Sequence, residues 1–216
     1  AIEFIRANRQ KPFFCYIPYN PPHSPFQVPD KHFEKYKTKG LDDKLACVYA
    51  MCENLDDNIG RLFSTLGNLN ILDDTIIIFI TDNGPNSKRY NGDMRGRKGS
   101  PHEGGTRVPC FIRWPEKIKA GTVVKQITSH IDILPTLKEL TGAEKSETKP
   151  LDGKSLVPLL VGPFENWLDR KLYVNWKNRG GVRTQTHRLV VTPQETMLFN
   201  MVNDPSETFD ISKEQP

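Results

Sequence analysis

The sequence predicts an α/β domain with a mostly parallel sheet flanked by helices, followed by a small antiparallel sheet. Between Asp42 and Gly67, apolar residues recur at alternating spacings of three and four, which is typical of a long amphipathic helix. Thr75 to Thr81 is a continuous β-branched run, typical of a strand buried on both faces of a parallel sheet. From about Leu172, short strand-like runs alternate with turns. We therefore place a boundary between residues 1–165 and 166–216.

A further strand is predicted near the start of the chain. The apolar run from Phe13 to Ile17 is bounded by prolines, and a proline-rich loop holding His23 follows it. A histidine at a strand end could donate a proton or contact an anion. A single loop histidine is more often structural, so His23 alone is a weak indication of chemistry.

Asp82 and Asn83 directly follow the strand predicted at 75–81. In open α/β sheets, ligands bind at the carboxyl ends of strands, and two oxygen-bearing side chains there suit a hard cation such as calcium or magnesium. The alternative is an ordinary turn, because Asn-Gly after a strand is a common turn signal.

The loop from Arg95 to Arg107 is rich in glycine and in basic residues. Glycines allow the backbone to approach a ligand closely, and Lys98 with Arg95 or Arg97 could bind an oxyanion. A solvated basic loop is the alternative, with Glu103 and Arg107 forming a structural pair.

Farther along, Asp132 is predicted to cap a helix that has Pro135 in its first turn and ends at Gly142, and His130 beside it is predicted to be structural.

Composition excludes several classes of protein. The chain has 216 residues and a net charge of +4, spread over 30 basic and 26 acidic residues, which is too small and too mixed to indicate nucleic-acid binding. Its apolar runs are too short to span a membrane. The four cysteines form no C-x-x-C pair, so zinc and dithiol motifs are absent. The first residues do not have the pattern of a signal peptide.

The order of these segments resembles the sulfatases of the alkaline-phosphatase-like superfamily. Each segment is weak by itself, but their number and order make a specific pattern that covers essentially the whole chain. The matching segments are the histidine loop Pro21-Pro22-His23-Ser24-Pro25, the helix signature Asn54 to Leu62, the metal turn Thr81-Asp82-Asn83-Gly84, the lysine loop Lys98-Gly99 with Glu103 to Pro109, Asp132 to Thr136, Leu151 to Leu156, and a terminal hairpin with Leu198 to Asn200 and Asp204 to Glu207.

The resemblance implies an alkaline-phosphatase-like fold and a role for each matching residue. Asp82 and Asn83 would be metal ligands, with Ca²⁺ as the metal. His23 would contact the sulfate ester and assist the leaving group, and Lys98 would bind a sulfate oxygen. Arg97 and His102 are candidates for substrate contact. The implied substrate is a small sulfate ester or a sulfated glycan, and the implied compartment is periplasmic, extracellular or lysosomal.

Three parts of the family pattern have no counterpart in this sequence. They are the nucleophile motif C/S-x-P-x-R, in which the first residue becomes formylglycine, an early aspartate pair, and a middle lysine and histidine pair. We therefore expect this chain to correspond to the C-terminal half of a sulfatase and to be inactive by itself. The alternatives are a phosphoester or phosphonate hydrolase of the same superfamily, and a non-catalytic domain that binds sulfated glycans.

Overall fold

The computed structural model describes residues 1–143, 149–162 and 167–215. The chain divides into two compact units, Ala1–Ile76 and Ile77–Pro216. The boundary predicted between residues 165 and 166 lies outside the described residues and stays a prediction.

The first unit is helical. It contains α1 (Ile2–Asn8), α2 (Asp30–Lys37) and α3 (Asp43–Asn68). The long amphipathic helix is confirmed as α3, and Asp42 caps its start by accepting the N–H of Leu45 at 3.0 Å. Helix α3 packs on α2, where the buried His32 is 3.3 Å from the side-chain amide nitrogen of Asn54.

The prediction of a strand from Phe13 to Ile17 is wrong. This segment forms no strand, although its exposure alternates along the chain as it would in one. The rings of Phe14 and Tyr16 are 74% and 77% exposed. A strand is held by hydrogen bonds to a neighbouring strand, and no strand among the described residues pairs with this segment.

The second unit begins with a two-stranded sheet formed by β1 (Ile77–Ile80) and β2 (Cys110–Arg113). The pairing is antiparallel, with Phe79 opposite Phe111, and all four residues of β1 are only partly buried. The predicted strand is therefore confirmed, but the parallel pairing and full burial expected for it are not found here. A β-branched run favours a strand, whereas the direction of its neighbour depends on which segment lies alongside.

The predicted antiparallel sheet is confirmed. Four strands follow one another in spatial order, and each pairs antiparallel with the next. They are β3 (Leu172–Trp176), β4 (Arg179–Arg183), β5 (His187–Val191) and β6 (Thr196–Asn200). Val190, Met197, Phe199 and Met201 form a buried apolar cluster on this sheet.

Short helices lie between β1 and β2 and between the two sheets. They are α4 (Glu103–Thr106), a 3₁₀ turn (His130–Asp132), α5 (Ile133–Thr141) and α6 (Val157–Leu160). Helix α5 ends at Gly142, which has the left-handed conformation with φ of 64°.

Asp132 lies at the predicted N-cap position of α5, but its side chain makes no capping hydrogen bond to that helix and has other partners. Its side chain is fully buried and accepts the N–H of Ser129 at 2.7 Å in a capping box. It also accepts the N–H of Lys154 at 2.8 Å and a guanidinium N–H of Arg170 at 2.7 Å. Asp132 therefore joins the start of α5 to two later segments.

Candidate active site

The Asp82 turn follows β1. Asp82 is exposed, and Asn83 is half-buried with its side-chain N–H donating to the carbonyl of Gly84 at 2.9 Å. This bond uses the amide nitrogen, so the amide oxygen is the atom of Asn83 that could ligate a cation. His130, predicted to be structural, lies with its Nε2 2.7 Å from the carbonyl oxygen of Thr81. It thereby ties the 3₁₀ turn to the residue before Asp82.

The glycine-rich basic loop from Arg95 to Arg107 lies directly against this turn. It contains Lys98 and most of the family's lysine-loop motif, and it is called the lysine loop from here on. Lys98 donates its backbone N–H to the carbonyl of Pro85 at 2.9 Å, and Gly84 donates to the carbonyl of Gly105 at 3.1 Å. The side chains of Arg97 and Lys98 are exposed. The structure therefore brings the backbone of Lys98 against the turn that carries Asp82 and Asn83, two motifs that are separate in the sequence.

Glycines make this approach possible. A Cβ atom on Gly84 would lie 1.9 Å from the carbonyl oxygen of Gly104, and one on Gly105 would lie 2.3 Å from that of Ser100. These distances are far below van der Waals contact. The turn can therefore meet the loop at Gly84, and the loop can fold on itself at Gly105, only because these residues have no side chain.

His102 has a buried environment. Its ring is 8% exposed, packs 5.9 Å from the ring of Phe199, and hydrogen-bonds through Nδ1 to a carboxylate oxygen of Glu207. The other carboxylate oxygen of Glu207 accepts the backbone N–H of Glu103 at 2.9 Å. These contacts are those of a residue that positions the lysine loop. The predicted contact between His102 and substrate stays a prediction, as does that of Arg97.

A buried charge network attaches the lysine loop to the four-stranded sheet. Arg188 contacts the carboxylate of Glu103, donates to the carbonyl of Pro101 at 2.6 Å, and lies 3.1 Å from Glu207. Arg183 is 3.4 Å from Glu103. Burial lowers the pKa of Arg183, and the charge of Glu103 opposes that shift.

The expected pair of Glu103 and Arg107 is present at 3.6 Å, with Arg107 largely exposed. Sequence reasoning missed Arg183, Arg188 and Glu207, which lie about 80 to 105 positions from their partners in the loop. Because no local pattern links residues so far apart, only the fold shows that they meet.

His23 belongs to the first unit. Its Nδ1 is 2.9 Å from the carbonyl oxygen of Ser24, and the ring is exposed. A carbonyl only accepts hydrogen bonds, so Nδ1 carries a hydrogen and Nε2 is the nitrogen left for a ligand. The predicted role of His23 stays a prediction.

The donor atoms suit calcium in kind but not in number. Calcium takes about six to eight oxygen ligands, and this turn offers the side chains of Asp82 and Asn83. Among the described residues, no group of three or more histidine, cysteine, aspartate or glutamate side chains could hold a metal ion. Asp82 and Asn83 are too few to complete a calcium site by themselves, and their role as cation ligands stays a prediction.

Two family profiles cover this chain. The profile described as Sulfatase matches residues 1–143, and the one described as N-sulphoglucosamine sulphohydrolase, C-terminal, matches residues 98–216. The chain belongs to the sulfatase family. This membership confirms the resemblance and the alkaline-phosphatase-like fold class.

Individual sulfatases agree with this assignment. Mouse steryl-sulfatase is 35% identical over 173 residues, which is 75% of this chain and 26% of that protein. The solved structure of Ps i-CgsB in complex with k-i-k-neocarrahexaose is 31% identical with a TM-score of 0.89, covering 99% of this chain and 49% of that one.

A second solved structure is that of BT4656 with its substrate D-glucosamine-2-N,6-O-disulfate. It is 25% identical with a TM-score of 0.64, and the match covers 84% of this chain and 41% of that one. The chain therefore spans about a quarter of the steryl-sulfatase and about half or less of the solved neighbours.

Proposed function

We propose that this chain supplies the cation-binding turn and the anion-binding lysine of a sulfuric-ester hydrolase. One observation carries the proposal: the backbone of Lys98 is hydrogen-bonded to Pro85, immediately after the Asp82–Gly84 turn. This backbone bond supports the proposal because it brings the residue that carries the ammonium group to the turn that carries the two candidate cation ligands. A cation and an ammonium group near one another would stabilise a compact anionic ester group. Membership of the sulfatase family supports sulfate as the group that is transferred.

Each residue has a defined task in this proposal. Asp82 and the amide oxygen of Asn83 hold the divalent cation, for which Ca²⁺ is the candidate, and that cation supplies electrostatic stabilisation of the ester oxygens. Lys98 donates hydrogen bonds to a sulfate oxygen and offsets its charge. His23 donates a proton through Nε2 to the leaving oxygen, on which negative charge develops as the S–O bond breaks.

The nucleophile lies outside these residues. No cysteine or serine of the sequence is followed by proline at the second and arginine at the fourth position, and Cys15-Tyr-Ile-Pro18 is the nearest failure. We therefore expect turnover only from the complete protein that contains this chain, and none from these 216 residues by themselves.

The substrate class is a sulfate ester, and we propose a sulfated saccharide within that class. BT4656 is described with a sulfated glucosamine as its substrate, and the exposed basic residues of the lysine loop suit a polyanion. The proposed compartment is periplasmic, extracellular or lysosomal. No helix in the described part of the chain is long and apolar enough to cross a membrane.

The test compares sulfate and phosphate esters in the complete protein. We expect hydrolysis of para-nitrophenyl sulfate to exceed that of para-nitrophenyl phosphate, and Lys98→Ala to reduce kcat/KM for the sulfate by about 100-fold or more. Lys88→Ala, which removes another exposed lysine of the same region, serves as the matched control. Faster hydrolysis of the phosphate ester would favour the phosphoester alternative. An equal reduction of kcat/KM in the Lys98→Ala and Lys88→Ala variants would show that Lys98 has no specific role in the reaction.

A further inference from the structure

We propose that Trp176 is a specificity-determining residue whose indole forms an aromatic wall beside Lys98, on which a sugar ring of a multiply sulfated saccharide stacks. This inference rests on the proposed function and names the feature that would select its substrate. Trp176 is the last residue of β3, and it is absent from every motif that carries the family resemblance.

The indole lies against the lysine loop. A Cβ atom built on Gly99 would be 3.4 Å from Nε1 and 3.7 Å from Cδ1 of Trp176. Gly99 follows Lys98 directly and has a positive φ of 80°. These distances correspond to ordinary van der Waals contact, so the indole lies beside the loop one residue from the proposed sulfate-binding lysine.

The exposure of this indole is unusual for its size. Trp176 is 58% exposed, although tryptophan is among the side chains that gain most from burial. Its partner across the β3–β4 pair is Arg179, an exposed charged residue. An indole with an apolar face and one N–H donor suits a sugar ring, which has an apolar C–H face and hydroxyl acceptors at its rim.

The charge of the β3–β4 hairpin indicates an anionic ligand. Residues 171–183 contain Lys171, Lys177, Arg179 and Arg183 and no acidic residue. Arg183 is engaged by Glu103, whereas Lys177 and Arg179 are exposed at the hairpin tip. Together with Lys98, these cations can contact more than one sulfate group, which distinguishes a multiply sulfated saccharide from a steryl or aryl ester with a single sulfate.

The hairpin is held against the loop. A Cβ atom on Gly181 would lie 3.3 Å from the Cβ of Pro101, and Arg188 on the next strand donates to the carbonyl of Pro101 at 2.6 Å. This attachment fixes the indole relative to Lys98 before any ligand binds, so little ordering would be needed on binding.

The experiment measures steady-state kinetics and equilibrium binding with the complete protein. The variants are Trp176→Ala, Trp176→Phe and the control Tyr173→Ala, which removes an aromatic side chain of the same strand that is 72% exposed. The probes are a carrageenan hexasaccharide, a heparin-derived hexasaccharide and para-nitrophenyl sulfate. Isothermal titration calorimetry with the hexasaccharides reports binding independently of turnover.

We expect Trp176→Ala to raise KM and Kd for at least one hexasaccharide by about 10-fold, as for the loss of one stacking contact. The KM for para-nitrophenyl sulfate should change by less than about 2-fold, Trp176→Phe should recover most of the affinity, and Tyr173→Ala should have no effect. Equal losses on all three probes, or unchanged hexasaccharide binding, would overturn the inference. If the unmodified protein binds a hexasaccharide through Trp176 but hydrolyses no sulfate ester, the proposed function fails and the saccharide site stands.

Discussion

Lys98 donates its backbone N–H to the carbonyl oxygen of Pro85 across 2.9 Å. The bond joins the lysine loop to the turn that carries Asp82 and Asn83, and it does not use the Lys98 side chain. The position of the loop therefore depends on backbone contacts, and the ammonium group remains available to a ligand. Substitutions that disturb these contacts and substitutions that remove the charge should have separable effects.

Gly84→Ala tests the backbone contact. The added methyl group would lie 1.9 Å from the carbonyl oxygen of Gly104, and we expect a loss of about 3 kcal/mol in the free energy of unfolding because the loop must move away. Gly60→Ala is the matched control: Gly60 lies within α3 with nothing within 4 Å of its would-be Cβ. Here we expect a gain of about 0.5–1 kcal/mol. Urea denaturation measures the free energy of unfolding of both variants. Equal free energies for the two variants would contradict the close approach of Gly84 to Gly104.

Glu207→Gln tests the buried charge network. Glu207 is 1% exposed, and its carboxylate faces His102 and Arg188. Neutralising it leaves Glu103, which Arg183 also contacts, as the remaining carboxylate beside the buried Arg188 guanidinium. We therefore expect a loss of about 1–3 kcal/mol in the free energy of unfolding. Glu195→Gln, at an exposed turn, should change stability by less than about 0.5 kcal/mol. Thermal unfolding of the two variants checks this, and equal melting temperatures would show that the network contributes little.

Calcium titration tests the incomplete cation site. Because the turn contributes only Asp82 and Asn83, we expect this chain to bind Ca²⁺ with a Kd on the order of 1 mM or weaker. Asp82→Ala should then leave the calorimetric trace unchanged. Micromolar binding that Asp82→Ala abolishes would show that the chain holds the cation without further ligands.

The pH dependence of stability tests Asp210. Hydrogen bonds from the backbone N–H groups of Leu198 and Ser212 lower the pKa of Asp210. A pKa that is lower in the folded than in the unfolded state stabilises the protein above the unfolded value of about 4, and this contribution is lost as the pH falls through the folded pKa. Asp210→Asn should therefore lower the melting temperature at about pH 6 more than at about pH 2. A difference that is constant with pH would contradict this assignment.

Local patterns were sufficient to predict several elements of this protein. The apolar spacing predicted α3, Gly142 predicted the end of α5, and short runs separated by turns predicted β3 to β6. The order of the motifs identified the family. These features depend on interactions between residues a few positions apart, so they can be read along the chain.

Tertiary structure decided which segments lie side by side. The sequence did not show that β1 pairs antiparallel with β2, that residues 13–17 have no strand partner among the described residues, or that Glu207 and Arg188 hold the lysine loop. Nor did any local pattern show that the indole of Trp176 lies beside Gly99. The sequence by itself therefore determined most of the elements, the family and the types of group that could bind a sulfate ester. Their juxtaposition depends on packing and buried charge pairing between residues distant in the chain, for which no local spacing exists, and only the folded structure specifies it.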